Sequence, residues 1–167
     1  MNSSITRTRL KKLVSYDPLT GIFTWVVKPS AQVGVGDHAG SINSSGYITM
    51  KADKVNYLAH RLAWLYMTGE WPKYQIDHAN GDGTDNRFSN LRECSHGQNR
   101  ANSKLASNNT TGYKGVVAKK NRYQAQITHN RQVINLGSFK TKEEAHQAYC
   151  RRAKELHGEF ANSGVSE

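Results

Sequence analysis

The stretch that decides the fold is IDHANGDGTDNRFSNLRECSHGQNRAN, residues 76–102. Its beginning predicts a strand that ends at the neighbouring Asp77 and His78, and a glycine-rich polar loop follows. A returning strand is expected from Phe88 to Arg92, and Ser95 with Gln98 forms a capping box that starts a helix. Two strands, a loop and a helix would bring one imidazole close to oxygen-bearing side chains.

Four side chains of this stretch are the candidate catalytic residues. Asp77 offers a charged oxygen and Asn99 a neutral one, and Mg²⁺ prefers such oxygens while it keeps several waters. His78 is an imidazole, which can take a proton from water near neutral pH. On a regular strand Asp77 and His78 point to opposite faces, so they serve one site only if the chain turns there. Asn90 either orients the His78 ring or braces the loop.

The loop between the two predicted strands has a simpler interpretation as well. Asn80, Asp82 and Asp85 are typical turn residues, and we expect them to stabilise the loop. A calcium-binding loop would need the spacing of an EF-hand and a terminal Glu, which the sequence lacks.

The charge of the chain indicates a nucleic-acid partner. The 167 residues carry 23 Lys and Arg against 13 Asp and Glu, a formal net charge of +10. Residues 101–167 are the more basic part, with 11 basic and 5 acidic residues. Basic proteins neutralise phosphates and release counterions, which favours binding to DNA or RNA without distinguishing them.

The composition also predicts where the protein works. No apolar run approaches the roughly 20 residues of a membrane span, and the N-terminus lacks the apolar region of a signal peptide. Cys94 and Cys150 stand far apart in sequence and form no CxxC pair. We therefore expect a protein without membrane contact in a reducing cytoplasm, which is the host cytosol if a phage encodes it.

The chain is predicted to contain four parts of different composition. Residues 1–11 are predicted to form a basic arm, residues 12–104 a first domain that holds the candidate catalytic residues, residues 105–111 a polar linker and residues 112–163 a second domain. In the first domain, residues 16–27 predict a turn followed by a strand, residues 33–57 predict short antiparallel strands and residues 58–68 predict a helix. In the second domain three strands precede a helix from about Lys142, which Thr141 and Glu144 cap.

The words HRLAW (60–64), IDHANGDGTDNR (76–87), NLR (90–92) and QNRAN (98–102) resemble the HNH family of ββα-metal nucleases. The resemblance covers roughly residues 16–104. It implies metal-dependent cleavage of DNA that leaves 5′-phosphate and 3′-hydroxyl ends. By motif position Asp77 resembles a metal ligand, His78 the general base and Asn90 the middle asparagine. Asn99 resembles the residue that closes the metal site, where some members place a histidine.

The words GYKGVVAKKNRYQAQI (112–127), NLGSFKTKEEAHQAY (135–149) and GEFAN (158–162) resemble an AP2/ERF DNA-binding domain. Such a domain lays its three-stranded sheet in the major groove and backs it with the helix. Val117 and Asn135 depart from the family, whose plant members usually carry Arg and Trp there. The candidate base- and phosphate-contacting residues of this part are Lys114, Lys119, Lys120, Arg122, Gln124, Gln126 and Arg131.

Together these observations predict an α+β protein with a ββα-metal HNH nuclease unit, extra N-terminal strands and an AP2-like sheet with one helix. The expected function is a metal-dependent, nicking, homing-type DNA endonuclease that uses Mg²⁺, with Mn²⁺ as the alternative ion. The expected partner is double-stranded DNA, bound by a monomer, or by a dimer if both strands are cut. The candidate phosphate contacts near the cut are Arg61, Arg87, Arg92, Arg100 and Lys104.

Two other functions stay open at the level of sequence. One is a non-catalytic AP2-type DNA-binding regulator in which the HNH scaffold is a relic. The other is a protein that binds or cleaves RNA.

Overall fold

The computed structural model describes residues 4–164, which divide into two compact units at the boundary between Glu93 and Cys94. Both units mix short helices with small sheets, which confirms the predicted α+β class. The elements of the first unit are α1 (Arg7–Leu13), β1 (Val14–Asp17), β2 (Ile22–Trp25), β3 (Ser41–Ile42), β4 (Ile48–Ala52), β5 (Val55–Leu58), α2 (Ala59–Thr68), β6 (Gln75–His78) and β7 (Leu91–Cys94), the last of which ends at the boundary. Those of the second unit are α3 (His96–Ala101), β8 (Val116–Lys119), β9 (Arg122–His129), β10 (Gln132–Phe139) and α4 (Lys142–His157).

Strand pairing in the first unit is local. The strands β1 and β2 form an antiparallel hairpin in which Val14 lies opposite Trp25. The strands β3, β4 and β5 form an antiparallel sheet in that order, and β6 pairs with β7. The sequence predicted the strands around residues 22–25, 48–52 and 55–58. It missed β1, and it placed the start of β7 too early, because residues 88–90 form a 3₁₀ turn.

One hydrophobic core holds the first unit together. It includes Leu10, Phe23, Met50, Leu62 and Leu65, which are at most 3 % exposed. The predicted helix of residues 58–68 supplies its central stripe, because leucines three apart lie on one helix face. That helix ends at Gly69, whose φ of 91° is a left-handed conformation that glycine adopts at little cost.

The predicted basic arm is wrong for the part that the structure describes. Thr6 caps a helix over Arg7–Leu13, and Ile5 and Leu10 are buried in the core. The pattern of basic and apolar residues in ITRTRLKKL is thus that of an amphipathic helix, in which Arg9, Lys11 and Lys12 are exposed. Residues 1–3 of the predicted arm lie outside the described residues.

The second unit consists of an antiparallel sheet in the order β10–β9–β8, covered on one face by α4. Ala125 and Ile127 of β9 pack toward Ala145, Tyr149 and Ala153 of the helix. The capping box of Thr141 and Glu144 starts α4 as predicted. Three strands and one helix therefore form in the predicted order, and the polar residues of β9 alternate with its buried ones.

The predicted linker, residues 105–111, lies inside the second unit. Hydrogen bonds hold this segment in a defined turn: the Asn109 side chain accepts from the backbone N–H groups of Thr111 and Gly112 at 3.0 and 2.7 Å. The polar composition of this segment thus serves a hydrogen-bonded turn.

Candidate functional site

The strand β6 brings Asp77 and His78 to a closed loop. Both side chains are buried, each residue being 5 % exposed. The chain turns directly after them, because the His78 carbonyl accepts from the Gly81 N–H at 2.8 Å. The sequence prediction required such a turn, because Asp77 and His78 would point to opposite faces of a regular strand.

Asn90 closes the loop from its other end. Its Oδ1 accepts from the Asn80 N–H at 3.0 Å, and its Nδ2 donates to Asn80 Oδ1 at 3.0 Å and to the Asp85 carbonyl at 2.8 Å. Of the two roles that the sequence left open for Asn90, these contacts correspond to bracing the loop. Asn90 is 8 % exposed, so the three bonds are shielded from water.

The acidic loop residues are turn-stabilising, as expected. Asp82 Oδ1 accepts from the N–H and the hydroxyl of Thr84 at 2.9 and 2.7 Å. The Arg87 guanidinium binds the Asp85 carboxylate and lowers its pKa to about 2. These side chains fix the shape of the loop between Asp77 and Asn90.

Asp77 forms an ion pair with the neighbouring strand. Arg92 Nε donates to Asp77 Oδ2 at 2.9 Å, and Arg92 Nη2 lies 2.8 Å from the same oxygen. A buried carboxylate is costly unless it is paired, and Arg92 supplies that partner. The pair fixes the orientation of the Asp77 carboxylate.

His78 lies in a cluster of rings. The ring of His60 lies 5.0 Å from that of His78 at 90°, and the ring of Tyr47 lies 5.9 Å away. His60 is buried, and its burial lowers its pKa to about 3, with smaller contributions from His78 and Arg61. His60 is thus neutral at pH 7 and places no positive charge beside His78.

The donor set fits a hard cation that keeps most of its water. Within residues 4–164, no group of three or more His, Cys, Asp and Glu side chains could hold a metal ion. A zinc-like site is therefore absent from the described residues. A carboxylate has about four lone-pair positions, so Asp77 can accept from Arg92 and still offer an oxygen to Mg²⁺.

Comparison with known proteins identifies the motif. The family model of the HNH endonuclease matches residues 57–101. Protein 3.8 of Escherichia phage T7 is 33 % identical over 105 residues, which are 61 % of this chain and 86 % of the phage protein. The chain belongs to the HNH endonuclease family. An uncharacterized HNH endonuclease of Acanthamoeba polyphaga mimivirus is 32 % identical over 122 residues, 72 % of this chain.

The chain spans 63 % of the length of the mimivirus relative. No solved structure matches the chain significantly. The prediction of an HNH endonuclease is thus confirmed at the level of the family. Among residues 4–164 the structure has no helix with the length and apolar character needed to cross a bilayer.

The helix of the HNH motif, α3, belongs to the second unit. The capping box of Ser95 and Gln98 starts it as predicted, and Asn99 lies in its first turn. None of its residues is buried. Its C-terminal end is held by polar contacts instead: Lys114 Nζ donates to the carbonyls of Ala101 and Ser103 at 2.7 and 2.6 Å.

A second polar contact holds the same end of α3. Asn162 Nδ2 donates to the Asn102 carbonyl at 3.0 Å, across 60 residues of sequence. Burial of Lys114 lowers its pKa to about 8. The C-terminal part of the HNH endonuclease therefore positions the helix that carries Asn99.

The predicted DNA-binding residues of the second unit lie either on one face of its sheet or in the turns between its strands. The register pairs Lys119 with Arg122 and places Gln126 opposite Asn135. Arg122, Gln124 and Gln126 alternate with the buried Ala125 and Ile127, so they lie on the sheet face that α4 leaves uncovered. Lys120 stands in the exposed β8–β9 turn, and Arg131 in the β9–β10 turn with a φ of 65°.

A cavity of about 560 Å³ within the second unit brings several predicted residues together. Arg100 of α3, Lys114, Gln126 and Arg131 all line it, and the lining contains no Asp or Glu. The amine of Lys114 and the guanidiniums of Arg100 and Arg131 thus meet at one surface, although Arg100 and Arg131 are 31 residues apart in sequence.

Other predicted phosphate contacts already bind protein atoms. Arg87 binds Asp85, and Arg92 binds Asp77. Arg61 stacks over Trp71 at 5.9 Å and donates to the Tyr74 carbonyl at 3.4 Å. Arg100 and Lys104 are exposed.

Sequence reasoning missed Asn86 and Tyr47 as neighbours of His78. Asn86 lies inside the quoted motif, but its spacing carried no signal that its Oδ1 lies 3.1 Å from His78 Nε2, eight residues away in sequence. Tyr47 is 31 residues before His78, and only the folded chain places their rings together.

Proposed function

We propose that the protein is a metal-dependent DNA endonuclease that nicks one strand. The observation that carries the proposal is a buried Asp77–His78 pair at the loop of a motif that belongs to the HNH endonuclease family. In this proposal His78 takes a proton from the attacking water, while Asn90 keeps the loop closed around it.

Asp77 and Asn99 would hold a divalent cation, most readily Mg²⁺, with Mn²⁺ as an alternative. The bound cation would stabilise negative charge on the phosphate and on the departing oxygen. Two protein oxygens suffice for such an ion because waters and phosphate oxygens complete its coordination. Arg92 supports the site by orienting the Asp77 carboxylate.

We further propose that the second unit binds the duplex in the manner of an AP2-like domain. The support is the uncovered face of its sheet, with Lys119, Arg122, Gln124 and Gln126, and the cationic cavity beside it. Arginine and lysine contacts to phosphates fix the position of the duplex, and glutamines can read base edges. With one HNH motif per chain, a monomer cuts one strand, as a homing-type nuclease of this kind would.

The experiment is incubation of the full chain with supercoiled plasmid in Mg²⁺, in Mn²⁺ and in EDTA. The proposal predicts open-circular product in the presence of a divalent ion and none in EDTA. Linear product at low protein concentration would contradict the nicking assignment. Binding of plasmid without cleavage in either ion would instead support the non-catalytic regulator, and cleavage of RNA alone would show that the substrate class is wrong.

A further inference from the structure

The cavity of the second unit lies at the end of β9 that extends beyond β8. The first residue of β8, Val116, pairs with Ala125, and the Gly115 carbonyl accepts from the Gln126 N–H at 2.8 Å. The strand β9 continues to His129, past the end of β8. Residues of α3 line the cavity together with this end of β9. Its volume of about 560 Å³ is that of a ligand site and far exceeds the space of one water.

Three cationic side chains from separate elements line this cavity. They are Arg100 of α3, Lys114 of the segment before β8, and Arg131 of the β9–β10 turn. Among the described residues that line the cavity, none is Asp or Glu. Arg100 and Arg131 are exposed, and within residues 4–164 neither guanidinium forms an ion pair with an acidic side chain. Both are therefore available to an anion.

Lys114 also keeps capacity for an anion. Its Nζ donates to the carbonyls of Ala101 and Ser103 at 2.7 and 2.6 Å. An ammonium has three N–H donors, so one remains for a further acceptor. Carbonyl oxygens bear only partial charges, so they do not neutralise the full charge of Lys114. Because the side chain is half-buried, that charge is stabilised by an anion beside it.

A phosphate group suits this set of donors. A guanidinium fork binds two phosphate oxygens at once, and an ammonium binds a further oxygen as a point charge. The hydroxyls of Ser95 and Ser103 and the amide of Gln126 line the same cavity and add neutral donors. A carboxylate has only two oxygens, so it would leave several of these donors without a partner.

The cavity is separate from the predicted metal site. Arg100 and Ala101 of α3 line it, whereas Asn99 is not a lining residue. Successive residues of a helix point about 100° apart, so Asn99 and Arg100 serve different faces of α3. A phosphate in the cavity is therefore not the phosphate that a cation on Asn99 would contact.

We propose that this cavity binds one backbone phosphate of DNA, held jointly by Arg100, Lys114 and Arg131, and that the bound phosphate fixes α3 to the β9–β10 turn. This proposal rests on the proposed binding of DNA by the second unit. The helix α3 has six residues and none of them is buried, so its order depends on polar contacts. A phosphate on Arg100 adds one such contact, and the order of the helix that carries Asn99 then depends on DNA.

The first test uses the full chain without DNA and without divalent ions. Inorganic phosphate is titrated into protein labelled with nitrogen-15, and Arg100→Gln and Arg131→Gln assign the Nε–H signals of the two arginines. Both signals should shift with one common dissociation constant, and chloride at the same ionic strength should not reproduce the shift. Signals that do not move, that fail to saturate, or that follow two different constants would overturn the shared site.

The second test counts phosphates on DNA. Arg100→Gln and Arg131→Gln should each weaken binding of a duplex in EDTA by roughly tenfold, as expected for a lost charge-assisted hydrogen bond. Each neutralised phosphate contributes about 0.9 to the slope of log affinity against log salt. Because the two arginines share one phosphate, the double variant should reduce that slope by no more than about 1. A reduction of about 2 would show two separate phosphates and overturn the proposal.

The matched control for both variants is Arg151→Gln. Arg151 is exposed on α4 and does not line the cavity, and the substitution removes the same charge. It should change neither the affinity for the duplex nor the slope. An effect as large as that of Arg131→Gln would show that overall charge, and not the cavity, determines binding.

Hydrogen exchange tests the link to α3. With each protein saturated by DNA, the backbone amides of residues 96–101 should exchange more slowly than in the free wild type. Arg131→Gln should lose most of this protection, although residue 131 lies outside the helix, and Arg151→Gln should keep it. Equal protection in the wild type and in Arg131→Gln would overturn the link.

The outcomes separate this proposal from the proposed function. Unchanged DNA binding in the double variant would refute the cavity site and leave the proposed function standing. Saturable binding of inorganic phosphate by a protein that binds no DNA would refute the proposed function. It would also show that the cavity takes its phosphate from another source.

Discussion

The two units stabilise their parts of the HNH motif in different ways. His78 lies in the first unit, whose buried residues form one continuous apolar core. Asn99 lies on α3 of the second unit, a helix without a buried residue that polar contacts from Lys114 and Asn162 hold. The predicted base thus lies in a unit that apolar packing stabilises, whereas Asn99, one of the two predicted metal ligands, lies on a helix that hydrogen bonds hold.

Charge divides between the units as well. The chain up to Glu93 carries 11 basic and 8 acidic residues, and the chain from Cys94 carries 12 and 5. The described core of the second unit consists of two clusters of three buried residues each. Its stability rests on little apolar burial, while its charge suits it to phosphates.

The largest effect is expected when the predicted general base of the first unit is removed. His78→Ala should lower the nicking rate by roughly 10²- to 10⁴-fold, because a positioned general base contributes about that much. Binding of the same DNA, measured by fluorescence anisotropy in Ca²⁺ or EDTA, should change little. Equal losses of binding and nicking would show that His78 acts through affinity.

The next effect tests the apolar core of the first unit. Leu62→Ala, at a residue that is 0 % exposed in the first unit, should lower the free energy of unfolding by roughly 2–5 kcal/mol, because it leaves a cavity. Urea denaturation followed by tryptophan fluorescence measures this, since Trp25, Trp64 and Trp71 all lie in the first unit. An exposed control is Leu19→Ala, at 83 % exposure, which should have almost no effect.

Sequence periodicity predicted those parts of the fold that local patterns determine. The leucine stripe predicted α2, and the capping boxes at Ser95 and Thr141 marked the starts of α3 and α4. The sequence did not reveal that residues 4–13 join the core, because a seven-residue helix rich in Lys and Arg resembles a solvated arm until its partners are known. The division at Glu93 was equally hidden, since Lys114 and Asn162 contact α3 through long-range polar bonds.

The candidate site was predictable in its residue types but only partly in its contacts. The motif singled out Asp77, His78, Asn90 and Asn99. The contacts of His78 with Asn86 and of Asp77 with Arg92 arise from the path of the loop and the pairing of β6 with β7, which no spacing rule encodes. The roles of the four residues in catalysis stay predictions.

A pH comparison sharpens the difference between the units. Burial lowers the pKa of His60, in the first unit, to about 3. As the pH falls below about 6.5, this histidine is therefore protonated in the unfolded chain while it stays neutral in the folded protein. Stability should therefore fall between about pH 6.5 and 3. His60→Phe lacks this titration, so its stability should depend less on pH in that range, as urea denaturation at pH 7 and 4.5 would show. An equal pH dependence in both proteins would contradict the burial of a neutral His60.

Lys114 gives the same sign at higher pH in the second unit. Burial lowers its pKa to about 8, against an ordinary value of 10.5, so the folded protein releases its proton at lower pH than the unfolded chain does. Wild-type stability should therefore rise relative to that of Lys114→Met between about pH 8 and 10.5. Denaturation at pH 7.5 and 10 measures the difference. A constant difference between the two proteins would show that the amine is not buried.

The smallest effect concerns the sheet face. Arg122→Ala should weaken DNA binding modestly and reduce the slope of log affinity against log salt by about 1, as expected for one lost phosphate contact. Arg151→Ala, on the exposed side of α4, is the matched control and should leave the slope unchanged. A larger effect of Arg151 would place the DNA on the helix side.

The most direct test of the account is the Mg²⁺ dependence of nicking under single turnover, measured for wild type, Asp77→Ala, Asn99→Ala and His78→Ala. The account predicts that Asp77→Ala and Asn99→Ala need more Mg²⁺ for half-maximal rate, while His78→Ala keeps the wild-type requirement at a much lower rate. An Asn99→Ala protein with the wild-type Mg²⁺ requirement, or a His78→Ala protein that nicks at the wild-type rate, would contradict it.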